Sequence, residues 1–233
     1  MNGTIDGRGA ASTVLTFDCY GTLIDWKTGI RNSFHQAFSR GRTGDLWEDK
    51  LFNLYLREEA RIEKAKPFRT YRDVLSQTVQ AVAESMGWNL EKKDSSFLAE
   101  DLPKWNPFPD TNPALKRLTT RYRLGILSNV DDDLLEGTLK HLAVPFDFLV
   151  TAEQVKSYKP AHAHFQRARR LIGKDRLWVH AAASWYHDIE PTRKLGIRSV
   201  WVDRSNERAG KQLEEGAEVV SNLGELAALL LRE

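Results

Sequence analysis

Six short apolar runs are spaced along the chain, and helical patterns separate them. The runs lack the polar face that a half-exposed strand shows at every second residue, so each fits a strand buried on both faces. They occupy residues 14–17, 124–129, 148–152, 177–183, 199–203 and 218–220. Because strands of this kind that alternate with helices form parallel sheets covered on both sides, we predict an α/β fold with a parallel sheet.

The stretch from about residue 26 to residue 107 has a different character. Amphipathic helical patterns fill it, and no strand pattern interrupts them. Pro103, Pro107 and Pro109 mark the point where the alternation returns. We therefore predict an all-helical cap domain at residues 26–107, inserted into a core domain formed by residues 12–25 and 108–233.

Composition limits the classes of partner. Among 233 residues there are 34 Lys and Arg against 32 Asp and Glu, a net charge of +2 without a polybasic block. This balance argues against nucleic acid or a membrane surface as a partner. No window approaches the ~20 apolar residues of a membrane span, and the polar first residues lack the apolar stretch of a signal peptide. We predict a cytoplasmic protein.

Polar side chains follow several of the predicted strands, and a lysine lies in the loop between two others. They are Asp18 with Thr22, Ser128 with Asn129, Lys159, and Asp188. Because parallel strands bring their carboxyl ends to one edge, we expect these groups to share one crevice. It would hold a nucleophilic or metal-binding carboxylate, a hydroxyl donor, a cation and a second carboxylate. Lys159, which precedes Pro160 at a predicted helix start, is expected to keep Asp18 ionised.

Four segments carry a resemblance to a known family: FDCYGTLIDW, LSNV, VKSYKP and SWYHDIEPTRKLG, in this order and spacing. They resemble the motifs of the haloacid dehalogenase superfamily, and within it the type II 2-haloacid dehalogenases and their close relatives. The resemblance covers roughly residues 12–30 and 108–225. It implies a Rossmann-like core, a helical cap, a hydrolase without a cofactor or metal, and a small carboxylic acid as substrate. It also allows for a homodimer.

The resemblance implies a role for each motif residue. Asp18 would be the nucleophile that displaces halide from C2 of the substrate and forms an ester. Asp188 would orient or activate the water that hydrolyses this ester. Thr22, Ser128 and Lys159 would hold the carboxylates of Asp18 and of the substrate. Asn129 would help bind the leaving halide, and Tyr20 would line the pocket.

Two positions argue against the phosphatases of the same superfamily. Phosphatases have a second aspartate, a general acid, where this chain has Tyr20, and a tyrosine with an ordinary pKa near ~10 is a poor acid for the task. They also commonly hold Mg²⁺ with a carboxylate at the position of Ser184, and Mg²⁺ prefers hard oxygen ligands. We therefore predict metal-independent hydrolysis, with an Mg²⁺-dependent phosphatase as an alternative. A non-catalytic member that kept the fold is a third hypothesis, and the presence of all four motif residues argues against it.

The fourth motif departs from the dehalogenase pattern. Ala183 and Trp185 stand where those enzymes have Ser and Asn. The SWYHD form resembles a divergent branch that includes a hydrolase opening the ring of azetidine-2-carboxylate, so hydrolysis of another 2-substituted acid is a further alternative. Ser184 and His187 are candidate substrate contacts, and for His187 a structural hydrogen-bonding role is equally open.

The cap arginine that type II dehalogenases use around the halide and carboxylate has no clear counterpart. Arg57 and Arg61, in the predicted cap, are the candidate substitutes.

Overall fold

All six predicted runs form strands of one parallel sheet. The computed structural model describes residues 13–38, 45–206, 208 and 217–232. The strands are β1 (Thr13–Phe17), β2 (Arg123–Ser128), β3 (Phe148–Thr151), β4 (Leu177–Ala182), β5 (Arg198–Val202) and β6 (Glu218–Val220). Their order is β3-β2-β1-β4-β5-β6, and every neighbouring pair is parallel. The predicted α/β sheet is confirmed.

The central position of β1 determines where a ligand can bind. It pairs with β2 on one side and β4 on the other, so the strand order reverses beside it. Ligands in open α/β sheets bind at the carboxyl edge at such a point. Asp18 follows β1 directly and therefore emerges at this edge.

Helices fill the chain between β1 and β2, as predicted. They are α1 (Trp26–Phe38), α2 (Asp45–Lys64), α3 (Tyr71–Ser85) and α4 (Phe97–Asp101), with 3₁₀ turns at Lys92–Ser96 and Leu102–Lys104. Within the described part of this segment no strand occurs. The two ends of this helical segment lie side by side. The backbone N–H of Asp25, before the first helix, donates to the carbonyl of Asn106, after the last, at 2.9 Å. The division into domains at residues 26 and 107 remains a prediction.

The remaining helices cover the sheet. They are α5 (Thr111–Leu118), α6 (Asp132–Leu139), α7 (Ala152–Val155), α8 (Ala163–Ile172), a π-helical turn (Trp185–Ile189), α9 (Glu190–Lys194) and α10 (Leu223–Leu231). One expectation is wrong in detail: Pro160 lies in a turn, and α8 begins only at Ala163. None of the described helices is long and apolar enough to span a membrane.

The two largest apolar clusters of the described residues pack helices against the sheet. On one face, Leu15 and Phe17 of β1 belong to the same buried cluster as Phe34 and Leu75 of the inserted helices. The other cluster includes Val14 of β1 and side chains of α8. Each fully buried large apolar side chain contributes roughly 1.5–3 kcal/mol. The inserted helices are therefore packed onto the sheet by the same force that stabilises the sheet itself.

Asp131 ties the first turn of α3 to the sheet. Its carboxylate accepts hydrogen bonds from the backbone N–H groups of Tyr71 and Arg72, each at 2.8 Å, and its side chain is buried. These are two of the N–H groups that a helix leaves unpaired at its N-terminus, where negative charge is also favoured.

We expect Asp131→Ala to lower the free energy of unfolding by about 1–3 kcal/mol, because it leaves two N–H groups without an acceptor. Urea unfolding followed by circular dichroism measures the change. Asp133→Ala is the matched control, since its exposed carboxylate pairs with Arg72 on the surface and should change stability by less than about 0.5 kcal/mol. Equal losses in the two variants would contradict the assignment.

Candidate active site

The predicted motif residues meet at the carboxyl edge of the sheet. Lys159 lies in the loop before α8, and its Nζ donates to Asp18 Oδ1 at 2.8 Å and to Asp188 Oδ1 at 2.7 Å. A third bond from the same Nζ reaches the carbonyl of Leu127, next to Ser128, at 2.9 Å. One buried ammonium thus joins two carboxylates from separate strand ends.

Thr22 holds the second oxygen of Asp18. Its hydroxyl donates to Asp18 Oδ2 at 2.9 Å and accepts from the backbone N–H of Ala183 at 2.9 Å. Gly21 has φ +95°, a backbone conformation that residues with a Cβ rarely adopt. This conformation lets the chain turn back sharply enough for Thr22 to reach Asp18. A Cβ on Gly21 would also lie 2.9 Å from the indole nitrogen of Trp26. The Asp-x-x-Gly-Thr spacing is therefore the local means of orienting Asp18.

The three charges have different protonation behaviour. Burial raises the pKa of Asp18 above its ordinary value; Lys159 opposes this effect and Asp188 adds to it. Burial would also raise the pKa of Asp188, but Lys159 and His180 lower it to about 2. For Lys159, burial lowers the pKa, and the two carboxylates more than reverse this. The expected effect of Lys159 on Asp18 is present, but burial outweighs it, and Asp188 is the more strongly ionised carboxylate.

Two polar atoms of this site are buried and make no hydrogen bond within the described residues: Ser128 Oγ and Asp188 Oδ2. A buried polar atom left unpaired costs about 1–3 kcal/mol, and such atoms are rare in folded proteins. A substrate oxygen or a water would satisfy them. Both atoms are therefore candidate contacts for a ligand.

Asn129 holds the loop that carries Lys159. Its Oδ1 accepts from the backbone N–H of Lys159 at 2.7 Å, and its Nδ2 donates to the carbonyl of Lys159 at 3.1 Å and to Glu63 Oε1 at 3.0 Å. Both amide protons therefore have an acceptor. Halide binding by Asn129 stays a prediction, and it would require one of these bonds to be replaced.

Tyr20 packs beside the site with its hydroxyl turned towards α6. Thr138 donates its own proton to the carbonyl of Leu134 at 3.1 Å, so the Tyr20 hydroxyl donates to Thr138 Oγ1 at 2.8 Å. The Tyr20 ring meets Trp105 edge-on at 6.2 Å. Burial raises the pKa of Tyr20 well above its ordinary value. This environment suits a wall of the pocket and not a proton donor.

Ser184 and His187 bond to each other. Ser184 Oγ accepts from the backbone N–H of His187 at 3.1 Å and lies 3.0 Å from its Nδ1. Ser184 thereby caps the π-helical turn that carries Asp188. Burial lowers the pKa of His187. The structure gives both residues a local structural role, and substrate contact by either stays a prediction.

Arg57 and Arg61 lie away from the other candidates. Their side chains are 69% and 64% exposed, and both pair with Glu58. The geometry does not support the prediction that they substitute for the cap arginine, and the reason is the register of α2. The site is faced by Glu59 and Glu63, each two positions after one of the arginines.

Glu59 and Glu63 are the cap residues that the sequence analysis missed. Glu63 contacts Asn129, and Glu59 Oε1 accepts from the hydroxyl of Tyr71 at 3.1 Å. Burial raises the pKa of Glu59 to about 7, and burial together with Glu59 raises the pKa of Glu63 to about 9. Their four-residue spacing places them on one helix face, but Asp45 and Asp49 of α2 have the same spacing, so spacing alone could not have selected this pair.

The ammonium of Lys159 occupies the space between the carboxylates of Asp18 and Asp188, at 2.8 and 2.7 Å from their Oδ1 atoms. Among the described residues, no group of three or more His, Cys, Asp or Glu side chains is arranged to hold a metal. Metal-independent hydrolysis stays a prediction.

A buried aspartate held by lysine and threonine at the edge of a parallel sheet, below inserted helices, defines a class of hydrolases. The model of the haloacid dehalogenase-like hydrolases matches residues 15–202, and the chain belongs to this family.

Several of the similar proteins are dehalogenases. The chain is 25% identical over 204 residues to (S)-2-haloacid dehalogenase from Pseudomonas sp. strain YL, covering 82% of each protein. It is 26% identical over 226 residues to (S)-2-haloacid dehalogenase 1 from Pseudomonas sp. strain CBS-3, covering 93% of this chain and 95% of the relative. The solved structure of L-2-haloacid dehalogenase PA0810 has 26% identity and a TM-score of 0.74, covering 94% of this chain and 99% of that one. The predicted family, fold and hydrolase class are confirmed.

Proposed function

We propose that this protein hydrolyses small 2-halocarboxylic acids at C2, without a metal, through an ester formed on Asp18. The observation that carries the proposal is the single ammonium of Lys159 that joins Asp18 to Asp188. It holds both carboxylates in one buried site, and we assign Asp18 as the nucleophile and Asp188 as the group that orients the water. The similarity to (S)-2-haloacid dehalogenases supports the class of substrate.

The first step is displacement of the halide. A carboxylate oxygen of Asp18 attacks C2, the carbon–halogen bond breaks, and the halide leaves with the bonding electrons. Lys159 and Thr22 hold the carboxylate in place for this attack, and such orientation lowers the barrier. Ser128 Oγ, buried and without a partner in the described chain, is proposed to donate to the substrate carboxylate.

The second step is hydrolysis of the ester. A water held by Asp188 Oδ2 attacks the carbonyl carbon of the Asp18 ester and gives one proton to Asp188 Oδ2. The bond from this carbon to the substrate oxygen breaks, and the departing alkoxide takes the proton back. The products are the 2-hydroxy acid and Asp18, which releases the second proton of the water to solvent and is again a carboxylate. Asp188 remains ionised before this step because Lys159 and His180 keep its pKa at about 2 in spite of burial.

Halide release from each enantiomer of 2-chloropropionate, with EDTA present, tests the proposal. Hydrolysis of p-nitrophenyl phosphate with Mg²⁺ is measured beside it. We expect halide release from one enantiomer, unaffected by EDTA. Phosphate ester cleavage that depends on Mg²⁺, without halide release, would overturn the proposal and favour the phosphatase alternative.

A second candidate substrate is a small 2-substituted acid with a cationic nitrogen, such as azetidine-2-carboxylate. The observation that favours it is the carboxyl of Glu63, which accepts from Asn129 and has Glu59 one helical turn before it, while the arginines of the same helix pair with Glu58 and are exposed. An ammonium group near these carboxyls would lower their raised pKa values and be held by the resulting charge. Release of the ring-opened amino acid, measured by chromatography, separates this candidate from the first.

The pH dependence of kcat/KM follows from Asp18. Its carboxylate must be ionised to attack, and burial raises its pKa above the ordinary 3.8. We therefore expect kcat/KM to fall as the pH decreases through this raised pKa, at a higher pH than for a solvent-exposed aspartate. Circular dichroism at each pH provides the control for unfolding. A rate that stays constant down to the ordinary aspartate range, with the fold intact, would contradict the assignment.

A further inference from the structure

A line of buried hydrogen bonds runs from the interior of the sheet to Asp188. Trp178 Nε1 donates to Thr16 Oγ1 at 2.7 Å, and Thr16 Oγ1 lies 2.8 Å from His180 Nδ1. His180 Nε2 lies 3.0 Å from Asp188 Oδ1. Thr16 and His180 are register partners on β1 and β4, and both side chains are fully buried. None of these bonds uses Asp188 Oδ2, the oxygen proposed to hold the water.

The donors along this line determine the tautomer of His180. An indole N–H can only donate, so the oxygen of Thr16 accepts from Trp178. The hydroxyl proton of Thr16 has no other side-chain or backbone acceptor in the described chain, so it is donated to His180 Nδ1. With Nδ1 accepting, the ring proton is on Nε2 and points at Asp188 Oδ1. The opposite tautomer would direct a lone pair of Nε2 at a carboxylate.

The consequence appears at Asp188. Its Oδ1 accepts two hydrogen bonds, from Lys159 at 2.7 Å and from His180 at 3.0 Å, whereas Oδ2 accepts none within the described residues. Lys159 alone would not fix the carboxylate, because it is shared with Asp18. Two donors on one oxygen fix the rotation of the group and keep the other oxygen free.

We propose that His180 is a positioning residue for ester hydrolysis, which holds Asp188 so that Oδ2 remains available to the attacking water. This inference rests on the proposed function. It concerns the second step only: halide displacement by Asp18 does not use Asp188 Oδ2. Loss of the His180 donor therefore slows hydrolysis selectively, and the Asp18 ester accumulates.

Replacement of His180 tests the split between the two steps. His180→Met replaces the imidazole with an apolar side chain of similar length that cannot donate a hydrogen bond. We expect a normal initial burst of halide and a kcat reduced about 10- to 100-fold. This range corresponds to the loss of one hydrogen bond to a charged group. Mass spectrometry of protein quenched during turnover should show the ester on the Asp18 peptide. His180→Gln, whose amide N–H can approach the position of Nε2, should restore part of the rate.

His164→Met is the matched control, because His164 is equally buried but contacts the carbonyl of Ser128 at 3.1 Å and not Asp188. It should not accumulate ester. If His180→Met remains folded and slows burst and steady state equally, or if no ester accumulates, the positioning role is wrong.

The tautomer is measured separately by ¹⁵N NMR of the imidazole nitrogens, which does not depend on turnover. We expect the Nε2–H form of His180 in the parent protein and a mixture in Thr16→Val, which removes the hydroxyl without changing the shape. A parent protein in the Nδ1–H form would overturn the inference. Absence of halide release from a parent in the Nε2–H form would instead overturn the proposed function and leave the His180–Asp188 contact in place.

Discussion

Asp18→Asn should lower the rate of halide release by at least about 10³-fold while leaving the fold intact, because an amide oxygen is a far weaker nucleophile than a carboxylate. The fold is expected to survive because the amide is nearly isosteric and its oxygen can still accept from Thr22. Lys159 also keeps Asp188 as a partner. The measurement is a halide assay together with circular dichroism and the melting temperature.

Asp25→Asn is the matched control for this prediction. The Asp25 carboxylate accepts from Thr28, at the start of α1, and has no bond to the site. Asp18→Ala is a second variant, since an asparagine can hydrolyse back to aspartate and restore activity during the assay. Substantial halide release by both Asp18 variants would exclude the ester mechanism, whatever the substrate preference.

Lys159→Met should be the most destabilising of the substitutions considered, besides being inactive. It leaves the carboxylates of Asp18 and Asp188 buried without their cation, at side-chain exposures of 11% and 1%. Breaking a buried ion pair by removing one partner costs about 3–5 kcal/mol. We expect a loss of this size in the free energy of unfolding, measured by urea titration at neutral pH.

The way the stability of Lys159→Met changes with pH follows from the coupling between proton binding and folding. Without Lys159, burial and mutual repulsion raise the folded-state pKa of the two carboxylates above their unfolded values. A folded state that binds protons more tightly gains stability as the pH falls. Lys159→Met should therefore recover part of its lost stability at acid pH, and adding Asp188→Asn should recover part of it at neutral pH.

Lys104→Met provides the comparison for loss of a lysine. The ammonium of Lys104 pairs with Asp101 on the surface, with 69% of its side chain exposed, and such pairs contribute about 0–1 kcal/mol. If Lys159→Met were no more destabilising than Lys104→Met, the buried ion network would not hold the site together as described.

The sequence alone was sufficient for the sheet and for the local geometry around Asp18. Apolar runs without a polar face that alternate with helices favour strands of a covered parallel sheet, and all six runs are strands of such a sheet. The positive φ of Gly21 and the bond from Thr22 to Asp18 involve residues close in sequence. Both features depend on residue types and spacings within a short stretch of chain, and these can be read from the sequence.

Only the tertiary structure decided which distant side chains meet. Lys159 and Asp18 are 141 residues apart in the chain, and their contact depends on strand order. The face of α2 that points inward carries Glu59 and Glu63, whereas the candidate arginines pair with Glu58 outside. His180 reads in the sequence as part of an apolar strand, and its donor direction depends on Thr16 of a neighbouring strand. Periodicity reports that a side chain is buried; it does not report against what, because the partner is selected by packing between elements far apart in the sequence.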